Sequence, residues 1–212
     1  MDVPVVVDQF PPLRGHLRLV DPEAELMGLG LIEFTRELGK EISFRSVELE
    51  GSFSGRSLAQ RILNNCASTI EDLTITPRGF GTRQRSPLYG ALRHLTFRGI
   101  AGLRRLTLRT AFTPMFGVAF WFIPISTVTS PVFQEFVLEL DEIPSRFYGT
   151  SPVGWGRWEE TDRLVAQRVA RDSDFRFTVR TDKLHHSETF QRHTKETFPL
   201  VASSGRIHFE TS

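Results

Sequence analysis

The stretch "GLRRLTLRTAF", residues 102–112, decides the reading of the chain. Its leucines stand at 103, 106 and 108, with arginines at 104, 105 and 109 between them. The alternation at its end is the pattern of a strand with one apolar face and one polar face. The same apolar template, at positions one, four and six, recurs in Phe44-Val47-Leu49, Ile70-Leu73-Ile75, Leu92-Leu95-Phe97 and Phe133-Phe136-Leu138. Looser copies keep the last two positions in Leu17-Leu19, Phe177-Val179 and Ile207-Phe209. Taking the fourth position as a marker gives 17, 47, 73, 95, 106, 136, 177 and 207. Without Leu95 the steps are 30, 26, 33, 30, 41 and 30 residues. The step from Leu95 to Leu106 is too short for a strand plus a crossover helix. One of those two segments is therefore a hairpin partner or an extra strand in a loop, and the sequence leaves open which.

The intervals between markers read as helices. Asp21 is placed as an N-cap with Pro22 at the first helical position. Leu31, Phe34 and Leu38 then form the apolar face, with Gly28 and Gly30 weakening the first half. Ser57 and Gln60 make a capping-box pattern before the stripe Leu58, Ile62 and Cys66. A short buried helix is predicted over 116–123, since "MFGVAFWFIPI" is far below the about 20 residues a bilayer requires. Further helices carry Trp158, Leu164, Val165 and Val169, and then Phe190 and Phe198 ahead of Pro199. Strand and helix in alternation imply parallel strands with right-handed crossovers. Two segments without periodicity, 76–90 and 141–157, read as long loops. No linker divides the chain, so residues 1–212 are taken as one domain.

Composition narrows the function classes. The 212 residues carry 26 Lys and Arg against 25 Asp and Glu, a net charge of +1. One cysteine, Cys66, excludes an internal disulfide framework and fits an intracellular setting, cytoplasmic or nuclear. The start "MDVPVVVDQF" lacks the basic and apolar regions of a signal peptide. There are 18 Phe against 2 Tyr and 3 Trp, which favours core packing over stacking roles.

The pattern resembles an irregular leucine-rich repeat. In particular it is similar to the repeat region of F-box/leucine-rich-repeat-like proteins of mushroom-forming fungi. The segments that carry the resemblance are "RILNNCASTIEDLTI", "GLRRLTLRTAF", "PVFQEFVLEL" and "ETFPLVASSGRIHFE". Arg78 and Ala111 stand where that repeat usually has Asn. The resemblance implies an α/β solenoid with a curved, mostly parallel sheet and helices on the other face. It further implies a non-enzymatic protein-interaction module that presents targets to a ubiquitin ligase. No F-box is read in this chain, so the ligase adaptor is expected as a partner only if an F-box exists elsewhere. A truncated paralogue without function is an alternative reading.

In such an array the template leucines point inward and the residues between them face outward. The outward set comprises His16, Arg18, Ser46, Glu48, Glu50, Asp72, Thr74, Arg105, Thr107, Arg109, Glu135, Val137, Glu139, Arg176, Thr178, Arg180, His208 and Glu210. Their charges alternate in blocks. Cross-strand pairing accounts for the blocks without a ligand, and a charged protein partner is the alternative. From Leu73 to Gln134 there are eight arginines and no Asp, Glu or Lys, giving +8 against −7 for the remainder. Arginine suits bidentate binding of carboxylate or phosphate, so an acidic or phosphorylated protein is expected. Nucleic acid is disfavoured by the low total charge and the few interleaved aromatics. The candidate partner-binding residues are Arg98, Arg105, Thr107, Arg109, Glu135, Glu139, Arg176 and Arg180, with Trp155 on the 141–157 loop.

Catalytic patterns are poor. "GSFSG" has Phe53 where a nucleophile elbow needs serine. "GFG" at 79–81 lacks the third glycine of a phosphate loop. His185, His186 and His193 have no H-E-x-x-H pattern and no evident third ligand. No cofactor or metal is expected. The competing class is an enzyme on a compact α/β sheet with an arginine-lined anion site. Strand order discriminates between the two, because a reversal of order creates a switch-point crevice.

Overall fold

A computed structural model describes residues 12–51, 58–77, 95–111, 125–141, 159–181 and 188–211. Seven strands form one sheet: β1 (Leu13–Val20), β2 (Ile42–Gly51), β3 (Asp72–Pro77), β4 (Arg105–Ala111), β5 (Glu135–Asp141), β6 (Arg176–Thr181) and β7 (Ile207–Thr211). Every neighbouring pair is parallel, and the order across the sheet is the order in sequence.

The marker residues fall into a single row. Leu17, Val47, Leu73, Leu106, Phe136, Phe177 and Ile207 are successive Cα partners across the seven strands. Two positions on, Leu19, Leu49, Ile75, Leu108, Leu138, Val179 and Phe209 make a second row. A one-residue slip anywhere would turn these side chains to the opposite face, so the buried rows pin the register. Val47, Leu106, Phe136 and Phe177 are fully buried in these rows. Phe136 stacks on Phe177 with ring centroids 5.4 Å apart. Phe177 in turn meets the edge of Phe198 at 4.9 Å.

The other layer holds α1 (Asp21–Glu37), α2 (Leu58–Cys66), α3 (Glu159–Arg171), α4 (Glu188–Thr197) and α5 (Pro199–Ser203). In α2 the predicted stripe holds: Ile62 and Cys66 are buried and Leu58 is partly so. Burial pushes the Cys66 thiol up to about 11, with nearby Arg36 opposing the shift.

The reading of α1 is corrected in two ways. Val20 is the N-cap, and Asp21 already lies inside the helix. The core face is also different, since Leu29 and Ile32 are 2% and 1% exposed while Leu31 and Phe34 are each 45% exposed. Gly28 is in keeping with this choice. A Cβ there would lie 2.8 Å from a Leu19 methyl, so the glycine lets α1 settle onto β1 along that side.

The ambiguity between Leu95 and Leu106 is resolved. Leu106 is in the sheet, whereas Leu95 and Phe97 are buried in a turn-rich segment. That segment belongs to the helix layer. The Gln60 side chain of α2 brackets the Thr96 peptide, accepting from its N–H at 2.7 Å and donating to its carbonyl at 3.1 Å. The Phe97 N–H donates to Thr127 Oγ1 at 2.8 Å. Residue 97 thus meets residue 127, one period of 30 later, as Leu106 meets Phe136 in the sheet.

Long polar side chains tie successive units together in this layer. The Ser130 hydroxyl donates to the Ala101 carbonyl at 2.8 Å, and Arg168 of α3 donates to the Ser130 carbonyl at 2.7 Å. Asp162 of α3, 2% exposed, accepts from the backbone N–H groups of Leu200 and Val201 at 2.9 and 3.0 Å. It serves α5 as a capping carboxylate from another helix, satisfying donors that α5 cannot satisfy itself. Burial raises its pKa, and the two backbone bonds oppose that rise. No helix among the described residues is long and apolar enough to cross a membrane. The predicted helix at 116–123 and nearly all of the two long loops lie outside the described residues.

Candidate functional site

Because the inward rows are fixed, the residues between them must face outward. Three outward rows result. The entrance row, one residue before each marker, is His16, Ser46, Asp72, Arg105, Glu135, Arg176 and Arg206, the last donating to the Asp172 and Ser173 carbonyls at 3.0 and 2.6 Å. The middle row, one residue after it, is Arg18, Glu48, Thr74, Thr107, Val137, Thr178 and His208. The deep row, two residues further, holds Glu50 and Thr76 as partners, and then Arg109, Glu139, Arg180 and Glu210.

A chain of ion pairs crosses the middle and deep rows. Arg18 lies 3.3 Å from Glu48 and 3.6 Å from Glu50. Arg109 donates to Glu48 at 3.3 Å and to Glu139 at 3.0 Å. Arg180 lies 3.7 Å from Glu139 and donates to Glu210 at 2.8 Å. The link from Arg109 to Glu48 passes over β3, a span of about 10 Å between alternate strands. A long side chain is needed to bridge it, and on the intervening β3 the outward residues in register with Glu48 and Glu50 are the short Thr74 and Thr76. The carboxylate of Glu139 is almost fully buried, while Arg109 and Arg180 are each about two-thirds covered. Removing a carboxylate that serves two such cations leaves each with a single remaining carboxylate of the chain, Glu48 for Arg109 and Glu210 for Arg180, in a partly desolvated setting.

The entrance row is different. Arg105 donates to Glu135 at 2.6 Å, and Glu135 also accepts from the Thr178 hydroxyl at 2.9 Å. Arg105 nevertheless remains half exposed. Asp72 and Arg176, on the outer two of the four strands β3 to β6 whose entrance residues line one cleft, have no side-chain ion pair among the described residues. The row borders a cleft of about 390 Å³ lined also by Arg104, Gln134 and Asp174. Arg104 is 3.8 Å from Glu71, itself 3.9 Å from Arg45, so the rim continues the charge pairing.

The sequence-derived candidates divide accordingly. Arg105, Glu135 and Arg176 come together on the cleft. Arg109, Glu139 and Arg180 join the ion-pair chain, and Thr107 is buried beside them in the middle row. Arg98 is not brought to this face. It is exposed on the turn of the helix layer, where its N–H donates to Thr96 Oγ1 at 3.3 Å. Trp155 lies outside the described residues, as do His185 and His186. His193 is buried on α4, with Nδ1 3.2 Å from a Glu196 oxygen.

Two contributors were missed among the candidates, Asp72 and Glu48. Asp72 sits one residue before its marker, the same offset as Arg105, Glu135 and Arg176, so the repeat already carried the signal. Glu48 as a partner of Arg109 carried none, because the two are 61 residues apart and separated by a whole strand. No protein-family model, curated protein or solved structure matches this chain.

Proposed function

We propose that the chain is a non-enzymatic protein-interaction module, built as an irregular leucine-rich-repeat-like solenoid, whose outward sheet face receives the partner. The observation that carries this reading is the strand order. Seven parallel strands follow one another without reversal, so the sheet does not form the crevice at which open α/β enzymes bind their substrates. An unbroken sheet instead offers a wide outward surface, the geometry repeat arrays use for recognition. Most of its arginines already have internal carboxylate partners, and the exposed, incompletely paired charge is at the strand entrances. Binding there favours a charged protein segment, acidic or phosphorylated where it meets arginine. By the family resemblance the module would serve target recognition in an F-box-type ubiquitin-ligase subunit, with the adaptor contact supplied by an F-box elsewhere.

The test is capture of partners from the native cell with the wild-type chain and with Arg105→Glu combined with Arg176→Glu. Both positions are exposed, so the fold is expected to survive, and circular dichroism checks that it does. The reading predicts that specific partners disappear with the variant. Capture of the same set by both chains would overturn the outward face as the contact surface.

A further inference from the structure

Resting on that interaction reading, we infer that the entrance cleft binds an extended peptide segment running across the strands, with a basic side chain at Asp72 and a carboxylate at Arg176. The argument begins with the order of charge along the row. Asp72, Arg105, Glu135 and Arg176 are successive partners on β3, β4, β5 and β6. The two middle members satisfy each other at 2.6 Å. Asp72 and Arg176 have no side-chain ion pair among the described residues, one of each sign, at opposite ends. The cleft is therefore dipolar along its length and close to neutral at its centre.

The spacing then selects the ligand's conformation. Three inter-strand steps of about 4.8 Å separate Asp72 from Arg176, about 14 Å in all. An extended chain rises about 3.4 Å per residue, so residues i and i+4 are also about 14 Å apart. Period-two alternation puts i and i+4 on the same side of that chain, both facing the sheet. On an α-helix the same two residues would be only about 6 Å apart. The recognised element is thus an extended segment with a basic and an acidic side chain four residues apart, in whichever order the chain direction sets, crossing the strands rather than pairing with an edge.

Other charges on the cleft agree with this assignment. Arg104 lies 3.8 Å from Glu71 and forms no ion pair with Asp72. Asp174 lines the Arg176 end, and the Ser173 hydroxyl is 3.5 Å from its carboxylate. Asp174 offsets part of the field of Arg176, so the carboxylate end of the peptide contributes less than the basic end.

The test uses the full chain and fluorescein-labelled eleven-residue Gly/Ser peptides carrying one charge pair. The mixed Lys-x-x-x-Glu peptide is compared by anisotropy with Lys-x-x-x-Lys, Glu-x-x-x-Glu and the mixed pair at i, i+2. The mixed i, i+4 peptide is expected to bind at least fivefold tighter than each control. Arg176→Gln should lower its affinity by about threefold and Asp72→Asn by about fivefold, the size of one partly exposed ion pair, the basic end contributing more. Equal affinity for all four peptides, or no change in either variant, overturns the cleft assignment. A chain that still captures its cellular partners with both Asp72→Asn and Arg176→Gln in place would refute this site while leaving the interaction reading standing.

Discussion

The entrance row and the deep row of the outward face use the same residue types to opposite ends. In the deep row, Glu139 is wedged between Arg109 and Arg180 and almost wholly covered. In the entrance row, Arg105 meets Glu135 while half exposed, and Asp72 and Arg176 are left without a side-chain ion pair among the described residues. The difference shows that a charged sheet surface is not one surface. Glu135 is covered and internally partnered much as Glu139 is, so the contrast lies in the cations and the outer positions: Arg105 is half exposed, and Asp72 and Arg176 are left for a ligand.

The comparison breaks most sharply at Glu139. Glu139→Ala takes one carboxylate from two mostly covered arginines, leaving Arg109 with Glu48 and Arg180 with Glu210, and a loss of about 1–2 kcal/mol is expected after allowance for their partial solvation. A urea titration with unchanged slope would register it as a lower midpoint. A midpoint equal to wild type would mean that the deep row is ornamental to stability. Next in size is the coupling within each pair. A double-mutant cycle on Arg109 and Glu139 should give about 1–2 kcal/mol, and one on Arg105 and Glu135 less than about 1 kcal/mol. Equal couplings would erase the distinction between the rows.

Salt sharpens the same contrast by a smaller amount. At 1 M ionic strength the Debye length falls to about 3 Å. The Arg105–Glu135 coupling should then nearly vanish, while the Arg109–Glu139 coupling keeps most of its value. The smallest expected effect is at the outer positions of the cleft. Asp72→Asn and Arg176→Gln should each shift stability by no more than about 0.5 kcal/mol, since neither side chain has an ion pair to lose. A larger loss in either would assign that residue to the fold rather than to binding.

The rows were legible before the structure to very different degrees. Seven of the eight markers proposed from spacing stand in one register, because a buried parallel ladder demands like residues at like offsets. The eighth, Leu95, matched the template equally well but packs in the helix layer. Its apolar spacing reports burial, and burial is common to both layers. The α1 stripe failed for a related reason. Leu31 and Phe34 have helical spacing, as do Leu29 and Ile32, and periodicity alone does not rank two apolar faces. The tertiary packing ranks them, with Gly28 in close approach to Leu19 on the buried side.

In "GLRRLTLRTAF" the division of side chains between faces was therefore a property of the sequence. Leu106 and Leu108 face the core, and Arg105 and Arg109 face outward, because alternate residues of a strand must point to opposite sides. Which carboxylates those arginines meet was decided by the tertiary structure alone. Arg105 finds its in-register neighbour Glu135, a step of 30 residues, whereas Arg109 also reaches Glu48 across an intervening strand. Alternation along a strand is local and needs no partner. The reach of one arginine over β3 depends on strand spacing and on the short outward Thr74 and Thr76 of that strand, which no linear pattern encodes.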